Sequence, residues 1–300
     1  MSKAVLFVLI LFHCSPLWSQ YYFYNSRYYD APLTVELGPS AGAMNCLTDL
    51  GGRHERGRRF FSDVNWRFTH PCGGLFAGVN YNNAVGISVG FTVGQVSACD
   101  SILKRYTSAT NGRYMRNLSF RSDIMEVTSI AELYPVGFFP DIGSSFMPYL
   151  AAGIGLFSFY PQTKWHNSWV GLPVLHTEGE GWKEYPGRPV YKLTQVNVPL
   201  GAGIRYEPGP RCSIRCELIY RLLFTDYLDD VSTSYVQPAL FDGYLSPQLA
   251  ALAEKLADRR RGLHQYTNQG QEIRGNSHHN DAFFSVSLGC NYVMGRNRIK

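Results

Sequence analysis

From residue 84 to residue 94 the chain alternates without a break. Val85, Ile87, Val89, Phe91 and Val93 share one face of an extended strand, and Gly86, Ser88, Gly90, Thr92 and Gly94 share the other. Strand side chains point alternately to opposite faces. One face is therefore apolar throughout and the other small and polar, over the roughly 9–11 residues that a strand needs to cross a bilayer. The pattern predicts a membrane barrel strand, with hydrocarbon outside and a polar or filled lumen inside.

Seven more segments repeat it, at about 33–44, 75–81, 117–133, 146–159, 195–206, 212–224 and 283–292. In the first of these, Leu33, Val35, Leu37, Ala41 and Ala43 oppose Thr34, Glu36, Gly38, Ser40 and Gly42. In the segment at 195–206, Val196, Val198, Leu200, Ala202, Ile204 and Tyr206 oppose Gln195, Asn197, Gly201, Gly203 and Arg205. Short links carry turn chemistry: Asn82-Asn83, residues 135–145, and Glu207-Pro208-Gly209-Pro210. The other links are long, at about 47–73, 99–116, 160–194 and 226–281, so short and long alternate. An all-β, eight-stranded antiparallel up-and-down transmembrane barrel gives this order, with short periplasmic turns and long outer loops.

One helix is predicted inside the last long link. Ser246 suits an N-cap and Pro247 the first helical position. Leu249, Leu252 and Leu256 make its apolar stripe, and Arg259-Arg260-Arg261 and Gly262 close it. A helix packed over the barrel rim and a helix that docks a partner both fit.

Composition narrows the compartment. Lys3 precedes an apolar run from residue 4 to residue 12, too short to span a bilayer, and Pro16-Leu17-Trp18-Ser19 ends it. Residues 1–19 read as a signal peptide. A Tyr-rich periplasmic segment, 20–32, then precedes a barrel at 33–295 and a tail at 296–300. Charged residues are only 17% and the net charge is +5, which gives no case for nucleic acid. Six cysteines remain after cleavage, and Cys46, Cys72 and Cys99 fall near one end of neighbouring strands, where one bridge among them fits but is not fixed by the sequence. Cys212, Cys216 and Cys290 sit on apolar faces.

Candidate chemistry lies on the inward faces. Glu36, Glu126, Glu132, Arg205, Arg215, Glu217 and Arg221 take lumen positions by parity. Eight strands enclose little more than their own side chains, so these charges are expected to pair as a structural network. A basic first loop, with Arg53, His54, Arg56, Arg58, Arg59 and Arg67, suits anionic lipid. His176 with Glu178 and Glu180 resembles part of a hydrolase constellation but has no nucleophile in a recognisable setting. Asp226, Asp229 and Asp230 suit turn capping or Ca²⁺, and capping is the simpler reading. His278-His279 point to different sides, and the Gly-X-Gly runs at 153–155 and 201–203 precede no helix, so neither makes a metal or phosphate site. No cofactor, metal or catalytic residue is predicted.

Three runs carry a resemblance. They are Thr225-Asp226-Tyr227-Leu228-Asp229-Asp230-Val231-Ser232, the run from Arg116 to Asp123, and Thr177-Glu178-Gly179-Glu180-Gly181. Together they resemble a Bacteroidota family of outer-membrane barrels that includes PorG, the barrel component of the type IX (Por) secretion system. The family's usual Gly-Thr-Glu-Gly-Gln-Gly stands here with His176 and Glu180 in the variable places. The resemblance implies an integral outer-membrane location and a non-enzymatic, anchoring role on periplasmic secretion-ring proteins. The short turns and Tyr21-Tyr22-Phe23-Tyr24 are the surfaces expected to meet them. A lipid-modifying enzyme and a small passive pore are the alternatives.

Overall fold

The computed structural model describes residues 22–25, 28–51, 64–103, 113–138, 145–260 and 272–298. The expected leader, the arginine-rich stretch 53–59, Arg261 and Gly262 lie outside them. Ten strands run in chain order: β1 (Tyr22–Asn25), β2 (Tyr28–Leu47), β3 (His70–Tyr81), β4 (Val85–Cys99), β5 (Ser119–Leu133), β6 (Phe146–Trp165), β7 (Ser168–Gly171), β8 (Thr194–Gly209), β9 (Cys212–Leu223) and β10 (Ala282–Arg298). Two helices follow β9, α1 (Phe241–Tyr244) and α2 (Pro247–Ala257).

Eight of the strands close into an antiparallel up-and-down barrel, because β2 pairs with β10 on one side and with β3 on the other. The short β1 extends the ladder beside β2, and β7 folds back on β6. Long loops gather at one end, and the short turns with both ends of the described chain gather at the other. Asn82 and Asn83 both have positive φ (49° and 50°), the conformation that a two-residue hairpin turn requires.

Several expected boundaries shift. Within the Tyr-rich segment 20–32, β1 and the first residues of β2 are paired as strands, Arg296 with Asp30 and Arg298 with Tyr28. Those same pairings carry residues 296–298 into β10 instead of a tail. Strand β6 runs to Trp165, well beyond the expected 159, and spans 20 residues.

The reason for such length is a reversal of polarity along the strands. Near the short-turn end the outside is apolar, with Ile87 65% and Ile154 71% exposed. On β4 this ends after Val93: Gln95 and Ser97 take the outer parity while Val96 and Ala98 are buried. On β5, Met125 and Val127 face out, but Asp123 takes the outer parity above them and Ile124 and Phe120 turn inward. On β6, Leu156 gives way to Ser158, and Phe157 and Phe159 are buried. A Gln95 amide bonded to Asp123 (2.6 Å) and a Ser158–Thr194 hydroxyl pair (2.8 Å) mark the transition. Below this line the surroundings suit hydrocarbon, so polar groups turn inward; above it they suit water, so apolar groups do.

The inward apolar residues above the line join loop residues in one core. Met44, Val96, Phe120, Ile124, Phe157, Phe159 and Phe283 pack with Leu50, Leu118, Leu228 and Val231. This core stoppers the barrel at its long-loop mouth. A second core holds α2 against the loops, through Leu172, Leu175, Trp182, Val236, Phe241, Ala250, Ala253 and Leu256. The buried face of α2 combines Ala250, Ala253 and Ala257 with Leu256 and the partly buried Leu252 of the expected stripe, while Leu249 stays 38% exposed. Close approach to the loops favours the small side chains. Ser246 occupies the N-cap position, yet its hydroxyl makes no capping bond.

Candidate functional site

The lumen is filled by three arginines, each set among carboxylates. Nearest the short turns, fully buried Arg205 meets Glu36 and Glu207, both at 2.9 Å, and donates to the side-chain Oδ1 of Asn83 at 2.7 Å. Arg215 meets Glu132 at 2.7 Å, Glu217 at 2.9 Å and Glu36 at 3.4 Å, with its guanidinium over the rings of Phe76 and Tyr149. Arg221 meets Glu126 at 3.0 Å and donates to Ser285 at 2.6 Å, beneath the ring of Phe283. All seven lumen residues singled out by parity thus stand in this stack.

Parity alone left out the groups that complete it. Glu207, 1% exposed, belongs to the inner face of β8 although it opens a turn tetrapeptide; it shares the parity of Arg205, and that was the available signal. Neutral donors supply the remaining bonds. Asn80 and Ser213 donate to Glu36, Ser88 and Tyr134 to Glu132, Tyr149 to Glu217, and Asn197 to Glu126. A cavity of about 60 Å³ remains, lined in part by Ser40, Thr92, Thr128, Arg215, Arg221 and Ser285. It has room for a little water.

The long loops are stitched into a dome by two further arginines. Arg116 grips Asp100 with two bonds (2.8 and 3.0 Å) and donates to the Arg274 carbonyl (2.6 Å) and the Asp49 carbonyl (2.7 Å). Arg274, 3% exposed, pairs with Glu178 at 2.9 Å and donates to the Asp230 carbonyl at 2.5 Å. Glu178 also accepts the Ser232 and Thr233 backbone N–H groups. Asp230, with φ of 64°, accepts from Thr177 and Tyr191, each at 2.5 Å. Tyr191 stacks on Tyr227 at 4.7 Å.

The three runs behind the family resemblance therefore meet at one place. Leu118 and Leu228 share the apolar stopper, while Arg116, Glu178 and Asp230 all contact Arg274. Within the motif at 225–232, Thr225 accepts the Asp281 and Tyr227 N–H groups, and Asp229 accepts those of Leu50 and Val231. Among the described residues no group of three or more His, Cys, Asp and Glu is placed to hold a metal ion.

The other candidates scatter. His176 lies 3.8 Å from Glu180, which is 2% exposed; burial lowers the imidazole's pKa. Burial, then Asp230 and Glu178, push the Glu180 carboxyl up to about 8. His278, His279 and Arg67 are exposed on loops. Cys46, Cys72 and Cys99 are all free thiols. Cys72 registers opposite Gly42, well down the ladder from Cys46, and Cys99 takes the outer parity of β4.

Neither a family model nor a curated protein matches the chain. Solved structures similar to it are outer-membrane proteins. Neisserial surface protein A is 10% identical with a TM-score of 0.37, covering 87% of this chain and 97% of its own. Ail, the attachment invasion locus protein of Yersinia pestis, is 10% identical at 0.36, with the same coverages. The outer membrane protein OprG from Pseudomonas aeruginosa is 10% identical at 0.36, covering 87% and 95%. At these scores the fold assignment rests on the strand pairing of the chain itself.

Proposed function

We propose that this protein is an integral outer-membrane barrel that neither conducts nor catalyses, and that it anchors a protein assembly. The observation that carries this reading is the doubly closed lumen, filled by the Arg205–Arg215–Arg221 stack and stoppered by the apolar core above it. The apolar exterior belt supports membrane insertion, and insertion follows export under the leader at 1–19. With the interior closed, the ends of the barrel do the work. The family resemblance points to a secretion machine of the type IX kind, with periplasmic ring proteins meeting the short-turn end. Gentle-detergent pull-down from native membranes tests this, with recovery of periplasmic ring components expected. Recovery of the barrel alone refutes the anchoring role, and steady conductance in planar bilayers refutes the closed lumen.

A further inference from the structure

Four aspartates from separate parts of the chain gather beneath the dome. Asp49 comes from the β2–β3 loop, Asp226 and Asp229 follow β9, and Asp281 precedes β10. Three of them hold backbone donors. Asp229 accepts from Leu50 at 3.1 Å and Val231 at 2.9 Å, Asp281 accepts from Leu228 at 2.9 Å, and Asp49 accepts from Asn276. Asp226 differs. It is 6% exposed, and neither carboxylate oxygen receives a hydrogen bond. The Ser232 side chain lies beside it and favours the ionised form, against the larger effects of burial, Asp49 and Asp229.

Arg116 and Arg113 face Asp49, and Arg116 faces Asp229, but no arginine bonds to Asp226. Arg116 grips Asp100, Arg274 grips Glu178, and Arg113 donates to the Gly51 carbonyl at 2.7 Å. Glu178 faces the cluster from the β6–β8 loop and the Cys46 thiol from β2. Asp226 is thus set against acidic groups that only accept when ionised, and an ionised, donorless carboxylate in such a place is costly. A proton removes the conflict, because a neutral carboxyl donates one O–H to a neighbouring carboxylate.

We propose that protons held within the Asp49–Asp226–Asp229–Asp281 cluster latch the loop dome, and that the dome opens as pH rises. Burial, then Asp49 and Asp229, push the Asp226 carboxyl up to about 10. Burial raises Asp229 and Asp281 as well, each aided by fellow aspartates. A pKa raised in the folded state contributes stability that is complete below the ordinary carboxylate range. That contribution drains away as pH climbs toward the folded value.

Hydrogen exchange at residues 225–236 of the full chain in detergent, corrected for the intrinsic pH dependence of exchange, tests the latch. Between about pH 6 and about pH 9 the opening equilibrium is expected to rise at least tenfold, since each held proton contributes up to about tenfold per pH unit. Asp226→Asn, which is neutral at every pH, is expected to flatten the rise. Asp281→Asn is the second variant, should the first fail to fold, and is expected to blunt it. A wild-type dome equally closed at both pH values overturns the proposal, as does full pH sensitivity in both variants. Closure restored by Ca²⁺ at high pH in the wild type, and lost in Asp226→Asn, overturns it too by making the latch a metal.

Discussion

Arg215→Met tests how the lumen is held. The substitution keeps an unbranched side chain between Phe76 and Tyr149 but removes ion pairs at 2.7, 2.9 and 3.4 Å. Breaking a buried pair typically costs about 3–5 kcal/mol, mostly for the charge left behind. Here each orphaned carboxylate keeps another donor: Glu132 keeps Ser88 and Tyr134, Glu217 keeps Tyr149, and Glu36 keeps Arg205, Asn80 and Ser213. The expected loss is therefore near the lower end, about 3 kcal/mol. Urea unfolding in detergent, followed by tryptophan fluorescence and by gel mobility of the folded barrel, measures it. Adding Glu132→Gln removes one of the stranded charges and is expected to return part of the loss. A single-variant cost below about 0.5 kcal/mol, the scale of an exposed pair, refutes the account of a dry, interlocked stack.

Two other changes separate the stopper from the dome. Phe157→Ala opens the apolar core, where Phe157 lies 5.4 Å from Phe159 and 5.7 Å from Phe283 between ring centres. It is expected to cost about 3–5 kcal/mol by urea unfolding while the bilayer stays non-conducting, because the arginine stack remains. Arg116→Met leaves Asp100 without its cation and frees two carbonyls. Limited proteolysis is expected to cut the long loops while the strands stay protected, and simultaneous loss of strands and loops counts against a separable dome.

The barrel was legible in the sequence because, below the polar ring, one rule of parity sets an apolar outside, although Met147, Ala151 and Ile219 place apolar groups inside as well. Val85 to Val93 follow it, and so do Glu36, Arg205 and Arg215 on the inner side. The rule reverses at Val93/Gln95, and the notation of alternation alone does not distinguish a strand that has left the membrane from one still inside it. Ile124 and Phe157 kept the inner parity as apolar residues, so they carried no visible sign of being a stopper. The dome was hidden for a different reason. Arg274 reaches Glu178 across 96 positions and Arg116 reaches Arg274 across 158, and such pairings leave no period to read. On α2, Leu252 and Leu256 join the core as the stripe predicts, but Ala250, Ala253 and Ala257 share that face, because hydropathy ranks leucine above alanine and gives no sign of small side chains packed against Trp182 and Leu175.

The reversal of polarity along unbroken strands has a mechanical consequence. Strand β6 passes from the belt at Phe146 to the loops at Trp165; its ladder to β8 ends at the change, at Ser158–Thr194, while its ladder to β5 continues past it to Gln162. No linker separates the part that faces lipid from the part that carries the dome. A load applied to the loops is therefore borne in shear by several backbone ladders at once, and the outer apolar belt resists displacement along the membrane normal. The molecule is built as a bolt with a fixed depth of seating, able to transmit a pull or a twist across the bilayer without a joint to absorb it.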